Sequence, residues 1–331
     1  MADVSSRTEM GRGERIMRGV YRLRLPLPWP GVPHCNAWAL SAGDGIVLVD
    51  TGYHDEHSME NLERAMQMVG LRIEDVRLVV CTHAHSDHCG QAVPITQRTG
   101  CELWMHPSHE LVNRLVEDPE AVLTRRLEVA RQSGVPEEPL RRYAAQRGSS
   151  ANPGIVGPLK ADRDLLAGVT VQSDLGEWVT YETPGHAPSH VCLFQPERRL
   201  LISGDHLLGR ISLYFEYGYS PNPVGEFLSS LDVVERLGAR LCLAGHGRTF
   251  NDVHAHIHGN RALVEEHLYK VLQAVAGEEL TAFEMVGTIY GEALSQQNGQ
   301  WLLSQTLGYL THLESTGGVR RIPGDPERWT A

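Results

Sequence analysis

His83-Ala84-His85-Ser86-Asp87-His88 places four metal-binding side chains within six residues. The apolar, β-prone run Arg77-Leu78-Val79-Val80-Cys81 precedes it, and Cys89-Gly90 with a helix-permissive stretch from Gln91 follows, so the hexapeptide belongs on a strand-to-helix loop. An extended loop turns His83 and His85 the same way and leaves Asp87 and His88 just beyond, which lets one short segment serve two metals. Imidazole nitrogens suit zinc, and a neighbouring carboxylate suits a second, more open position. The segment reads as one end of a dinuclear zinc site.

Three more ligand-type residues stand further along the chain. His186 lies in Thr183-Pro184-Gly185-His186 after the β-prone Trp178-Val179-Thr180-Tyr181. Asp205 lies in Ser203-Gly204-Asp205-His206 after Leu200-Leu201-Ile202, and His246 in Ala244-Gly245-His246-Gly247 after Arg240-Leu241-Cys242-Leu243. Each repeats one grammar of apolar strand, glycine and ligand, where the glycine permits the close or unusual backbone geometry of a site built between loops.

The order HxHxDH, TPGH, GD and GHG resembles the metallo-β-lactamase-fold hydrolases, with glyoxalase II nearest in texture. Ile46-Val47-Leu48-Val49-Asp50-Thr51-Gly52 is similar to the family strand that ends in Asp-Thr-Gly, with Asp50 as a carboxylate that orients the loop without binding metal. The resemblance implies one zinc on His83, His85 and His186, a second on Asp87, His88 and His246, and Asp205 bridging them. Iron or manganese suits the same ligand set. It also implies the family's four-layer αββα sandwich, with the metals at the edge between two sheets.

Such a site activates a water between two metals and offers a Lewis acid to a substrate oxygen, so the expected chemistry is attack of a metal-bridging hydroxide on the carbonyl of an ester, thioester or lactone. Asp87 is a candidate proton relay. His190, in Ala187-Pro188-Ser189-His190, is a candidate oxyanion donor, or else a hydrogen-bonding support for a ligand. The aromatic run Arg210 to Tyr219 packs the core or walls the substrate, with Tyr217 or Tyr214 bonding the scissile group. Endoribonuclease or phosphodiesterase activity and β-lactam hydrolysis are the alternatives.

Helical periodicity marks Ser108–Val116, Ala121–Ala130 and Glu137–Arg147 within an insertion spanning about 107–167, expected as a lid or a packed surface decoration. The stretch Gly148 to Gly154 is expected to gate entry. A hydrolase domain over 1–260 is followed over 261–331 by three helices and a hairpin tip at Gly317–Ile322, which resemble the winged-helix module of one superfamily branch. That region holds nine acidic against five basic residues, with only Arg320-Arg321 as a local basic patch, so nucleic acid is an unlikely partner. A structural or homodimer role is expected there.

The chain has 331 residues, 41% of them hydrophobic, and a net charge of −11, enough apolar content for a large core and a balance that discourages nucleic-acid binding. No apolar run approaches about eighteen residues, which excludes a membrane-spanning helix. The polar, mixed-charge start at Met1 to Glu9 carries no apolar signal core. Six cysteines without a CxxC pair read as buried free thiols, and the expected compartment is the cytoplasm. Of seventeen histidines, His254, His256 and His258 are expected to be solvated or locally packed. His34, His106, His109 and His206 adjoin the motifs, His206 being the best candidate among them to face a cleft.

Overall fold

Alternation along the strands decides which side chains face which layer. The computed structural model of the protein describes residues 10–29, 31–148, 154–291 and 298–331. Its first half builds β1 (Arg12–Met17), β2 (Val20–Trp29), β3 (Val32–Ala42), β4 (Gly45–Val49), α1 (Ser58–Gln67), β5 (Val76–Val80), α2 (Ser86–Cys89), α3 (Ala92–Thr99) and β6 (Glu102–Met105). The insertion follows as α4 (Glu110–Glu117), α5 (Pro119–Gln132) and α6 (Glu137–Gly148). Then come β7 (Arg163–Asp164), β8 (Thr170–Ser173), β9 (Gly176–Glu182), β10 (Val191–Gln195), β11 (Leu200–Gly204), α7 (Pro223–Leu237) and β12 (Leu241–Ala244). The chain ends with α8 (Val253–Ala274), α9 (Ala282–Tyr290), α10 (Gly299–Ser315) and the hairpin β13 (Arg320–Ile322) with β14 (Arg328–Thr330).

Strands β1 to β7 pair in sequence order in one sheet, and β12-β11-β10-β9-β8 form the second. In β3, Trp38 and Leu40 face the second sheet while Cys35, Ala37 and Ala39 face α1 and α3. In β10, Val191 and Leu193 point inward while Cys192 and Phe194 point toward the opposite helices. This period of two on both sheets stacks helices, sheet, sheet and helices, the expected αββα sandwich. Trp38 and Trp178, both fully buried, belong to the layer between the sheets.

The strands that carry the motifs all end at one edge. β4 runs parallel to β5, β11 runs parallel to β12, and β9 lies antiparallel to β10, which lies antiparallel to β11. The carboxyl ends of β4, β5, β9, β11 and β12 therefore deliver Asp50, His83, His186, Asp205 and His246 to the same side. Buried Asn36 staples the sheets there, its Nδ2 donating to Ala244 O at 2.9 Å and Gly247 O at 3.0 Å. Val191 N–H donates to Thr82 O at 2.8 Å across the same edge.

Several expected boundaries move. β7 extends the first sheet beside β6 and Leu165 is fully buried, so the insertion ends before residue 163 and not near 167. A division after residue 260 falls inside the continuous helix α8. One apolar cluster runs from Cys192 and Leu201 through α7, α8, α9 and α10 to Trp329, so the carboxy-terminal helices share the core of the second sheet. The three helices and hairpin are present, with Leu280 bridging Trp329. The expected gate is described only at Gly148 and Gly154; positions 149–153 lie outside the described residues. Cys35 lies within β3, and Cys101 is only half-buried, whereas the other five free thiols are buried.

Candidate metal centre

Five imidazoles of the motifs turn one ring nitrogen each into a common space, and the other nitrogen of every ring has an acceptor. His83 Nδ1 meets Thr82 Oγ1 at 3.0 Å, and that hydroxyl donates to Asp50 Oδ2 at 2.9 Å. His88 Nδ1 donates to Asp50 Oδ2 at 2.8 Å, His246 Nδ1 to His34 O at 2.9 Å, and His186 Nδ1 to Tyr214 O at 3.2 Å. His85 is reversed, its Nε2 lying 3.3 Å from Glu216 Oε2. Carbonyl and carboxylate oxygens only accept, which assigns the ring protons outward and leaves five lone pairs pointing inward.

Those bare nitrogens crowd one another. His83 Nε2 lies 3.0 Å from His85 Nδ1, which lies 2.9 Å from His186 Nε2. His88 Nε2 lies 3.4 Å from His246 Nε2, and Asp87 Oδ2 is 3.5 Å from the first and 3.1 Å from the second. Asp205 stands between the two groups, Oδ1 3.3 Å from His88 Nε2 and Oδ2 3.2 Å from His246 Nε2 and 3.6 Å from His186 Nε2. Lone pairs and carboxylates at these separations repel unless protons or a metal cation lie among them. Asp205 Oδ1, buried without a hydrogen-bond partner, adds an orphaned acceptor to the same space. The donor set therefore fits divalent metal, and each ligand-type ring carries the outer hydrogen bond that orients metal-binding histidines.

The electrostatics agree. Burial disfavours the charged forms of both partners, yet Asp205 and Asp87 outweigh it at His246, whose pKa rises to about 10, and His88 is likewise held up by its carboxylates. Asp87, despite burial, is held well below the ordinary carboxylate range by His88 and His246. Burial pushes His186 down to about 4, and His83 falls as well. Without metal the Asp87, His88, His246 and Asp205 group holds protons, which a bound cation displaces. Metal uptake is accordingly expected to release protons and to weaken as the pH falls, a result that calorimetry in buffers of different ionisation enthalpy checks.

The catalytic candidates separate. Asp87 sits in the centre. His190 is fully enclosed, its Nδ1 against Thr183 Oγ1 at 2.8 Å and its Nε2 accepting from the Asp205 backbone N–H at 3.0 Å. With both nitrogens engaged it supports the Asp205 loop and offers nothing to an oxyanion, the second of its two expected roles. Tyr217 is not beside the cleft: it lies with Tyr219, Thr311, Glu314 and Arg321 in a groove against α10 and the hairpin, because its backbone N–H is tied to Ser304 Oγ at 3.0 Å. Tyr214 takes that place, its ring centroid 5.6 Å from His186 and 6.0 Å from His85. Burial and Glu216 raise its phenol, so it stays a donor.

Other histidines fall away from the centre. His206 is buried against Phe227, ring centroids 5.0 Å apart, and does not face a cleft. His106 meets Glu182, His109 bonds its own turn, and His34 contributes only its carbonyl, its ring lying 3.3 Å from an Arg24 nitrogen. His256 stacks on Phe250, and His254 and His258 are exposed on α8.

Glu216 is the residue that sequence reasoning missed. It sits inside the aromatic run from Arg210 to Tyr219, and an acid among aromatics was its one signal. Glu216→Gln keeps the shape but weakens the acceptor on His85, with an expected loss of about 10–100-fold in metal affinity at the His83, His85 and His186 set; chelator competition measures it. Gly245 is the other tight position, since a Cβ there would stand 2.3 Å from Asp205 Oδ1 and 2.9 Å from His88 Cε1. The same Cβ would stand 2.9 Å from the backbone oxygen of Gly204, so Gly245→Ala is expected to displace Asp205 and that strand end together, removing one equivalent of metal and lowering the unfolding midpoint, which metal analysis and thermal melts read.

The profile of the metallo-beta-lactamase superfamily matches residues 30–246, which include all seven of these side chains. The chain belongs to the metallo-beta-lactamase superfamily. It is 24% identical over 313 residues to the probable metallo-hydrolase YqjP of Bacillus subtilis, covering 91% of this chain and 93% of that one. A metallo-beta-lactamase family protein from Thermus thermophilus superposes with a TM-score of 0.81 at 26% identity, over 96% of this chain and 99% of that one. A beta-lactamase domain protein from Burkholderia ambifaria gives 0.77 at 26% identity, over 96% and 93%. The superfamily likeness thus extends over the carboxy-terminal helices as well as the sandwich. Among the described residues, no helix of this metallo-hydrolase is long and apolar enough to cross a membrane.

Proposed function

We propose that this metallo-hydrolase cleaves a carboxylic ester, thioester or lactone of a small molecule, in the manner of the glyoxalase-II-like branch. The observation that carries the reading is the pair of ligand groups sharing Asp205, with the ring of Tyr214 walling one of them. His83, His85 and His186 would hold one divalent cation, and Asp87, His88 and His246 the other, zinc being the first choice for nitrogen and oxygen donors and iron or manganese the alternatives. When bound, the pair supplies a water of near-neutral pKa and a Lewis acid for a carbonyl oxygen.

The chain's own residues do the rest. Asp205 spans the two groups, Asp87 would take the water proton, and the ring of Tyr214, its hydroxyl held by Ser304, walls the substrate on the His85 and His186 side. Thr82, Asp50, Glu216 and His190 hold the inner groups in register. The insertion covers this side as a lid over the acyl part: Arg125 of α5 donates to Gly218 O at 2.8 Å, which joins it to the loop that carries Tyr214.

Charge supports an acyl substrate over RNA. Glu216 adds a carboxylate at the cleft, the chain carries −11 overall, and the carboxy-terminal helices are acidic. We read those helices, with their likeness to a winged helix, as core packing and a homodimer contact. A reducing, cytoplasmic setting belongs to this reading and is supported by six free cysteines, five of them buried. The test is the zinc-loaded protein assayed on acyl-thioesters, acyl-homoserine lactones, a chromogenic cephalosporin and single-stranded RNA. Thioester or lactone turnover is expected to dominate; RNA cleavage or cephalosporin turnover without it overturns the reading.

A further inference from the structure

A further group of ligand-type side chains lies outside the cleft, on the exposed face where α7 meets α8. His254 and His258 stand one helical turn apart on α8, the i, i+4 spacing that puts two imidazoles on one face. Their Nε2 atoms are 3.1 Å apart. Glu235, near the end of α7, brings Oε1 to 3.2 Å from His254 Nε2 and 3.6 Å from His258 Nε2. Three ligand atoms around a tetrahedral zinc, each about 2.0–2.1 Å from the metal, stand about 3.3–3.4 Å from one another. The observed triangle has those edges to within a few tenths of an ångström.

Two features separate this triangle from a chance surface cluster. Glu235 Oε2 accepts from Arg261 Nη2 at 2.8 Å, and Arg261 is itself paired with Asp232, so the carboxylate is held with Oε1 turned toward the rings. That is the outer support a ligating carboxylate needs. The side chains of His254 and His258 are 72% and 57% exposed, so a fourth position is open to water without rearrangement.

We propose that Glu235, His254 and His258 form a third metal site, for zinc or a divalent ion of similar donor preference, distinct from the pair in the cleft. Its consequence is mechanical. α7 floors the His186 loop, with Ser230 Oγ donating to Pro184 O at 2.8 Å and Phe227 packed where a side chain on Gly185 would have to go. α8 leads into the carboxy-terminal helices, so a cation shared by Glu235 and the two histidines clamps these two parts of the shared core.

The test uses the untagged full chain with its cleft loaded, dialysed against Zn2+ and compared with His254→Ala/His258→Ala. One equivalent fewer in the double variant is expected, with Glu235→Gln weakening the same equivalent by about 10-fold or more. Zn2+ should also raise the melting temperature of the loaded wild type and not that of the double variant. Because the readout is a difference of one equivalent, it holds whether the cleft keeps one metal or two, and retained cleft metal in the variant shows that it has folded. Equal zinc content in wild type and double variant overturns the proposal, as does a Zn2+-dependent melting shift that survives in the variant.

Discussion

Asp205→Ala is expected to abolish hydrolysis to below about one part in 100 of wild type and to leave at most one tightly held metal per chain. Loss of a residue that merely orients a ligand costs about 10–100-fold in affinity or activity, and Asp205 is placed as more than that. Its two oxygens reach rings of both groups, at 3.3 Å to His88 and at 3.2 and 3.6 Å to His246 and His186. Without it five imidazoles face one another with Asp87 as the one carboxylate among their inner nitrogens, Asp50 and Glu216 lying on the outer side of His88 and His85. Metal analysis after gel filtration and steady-state assay on the best substrate of the panel read both effects. Two tightly bound metals per chain in the variant, with activity within tenfold of wild type, would refute the bridging role. His83→Ala should lose only one site.

Asp50→Ala is the second large effect, and it acts on the fold before it acts on the metal. Asp50 is 1% exposed and accepts from Thr82 N–H at 2.7 Å, Thr82 Oγ1 at 2.9 Å and His88 Nδ1 at 2.8 Å. Alanine leaves these donors buried without an acceptor, for which breaking a buried pair suggests a cost of about 3–5 kcal/mol. A backbone contribution adds to this, since Asp50 sits at φ 63°, a left-handed conformation that aspartate and asparagine tolerate better than alanine. Asp50→Asn keeps the backbone and one acceptor and should fall between the two. Urea unfolding of the chelator-treated proteins measures the fold alone. An alanine variant within about 1 kcal/mol of wild type there would show that Asp50 only tunes the metal.

Much of the centre was legible because its ligands are short-range patterns. The hexapeptide and the three glycine-flanked ligands each follow an apolar strand, and strand ends in a doubly layered sheet collect at an edge. Asp50 was legible for the same reason, as the residue that closes β4. What failed is what depends on direction. Tyr214 and Tyr217 are three residues apart in one loop, and contacts with α10, such as Tyr217 N–H to Ser304 Oγ and Ser304 Oγ to Phe215 O, fix which ring reaches the metal side. His190 follows a ligand motif closely enough to suggest a cleft position, but the turn after His186 sends it inward beneath the Asp205 backbone. Glu216 carries no pattern of its own; its role exists only because the loop after Asp205 returns to His85.

The boundary near residue 260 fails for another reason. Changes in composition and helical periodicity are local, whereas a domain is defined by where apolar surface is buried. α8 is a single helix whose Val253, Ile257, Val264 and Val271 all enter the cluster that backs the second sheet. The triangle of Glu235, His254 and His258 shows the converse case. The spacing of the two histidines was visible along the chain, but the carboxylate that completes the triangle comes from α7, nineteen residues before His254.

The amino-acid sequence by itself determined the seven ligand-type residues, written in glycine-flanked strand ends and in residue chemistry, and through the resemblance those motifs carry it implied the sandwich and the hydrolytic class. The tertiary structure alone decided which nitrogen of each ring is bare, which tyrosine lines the cleft, that Glu216 orients His85, and that the last helices share the core. Those are matters of which surfaces meet, and no local pattern records the direction of a side chain relative to residues a hundred positions away.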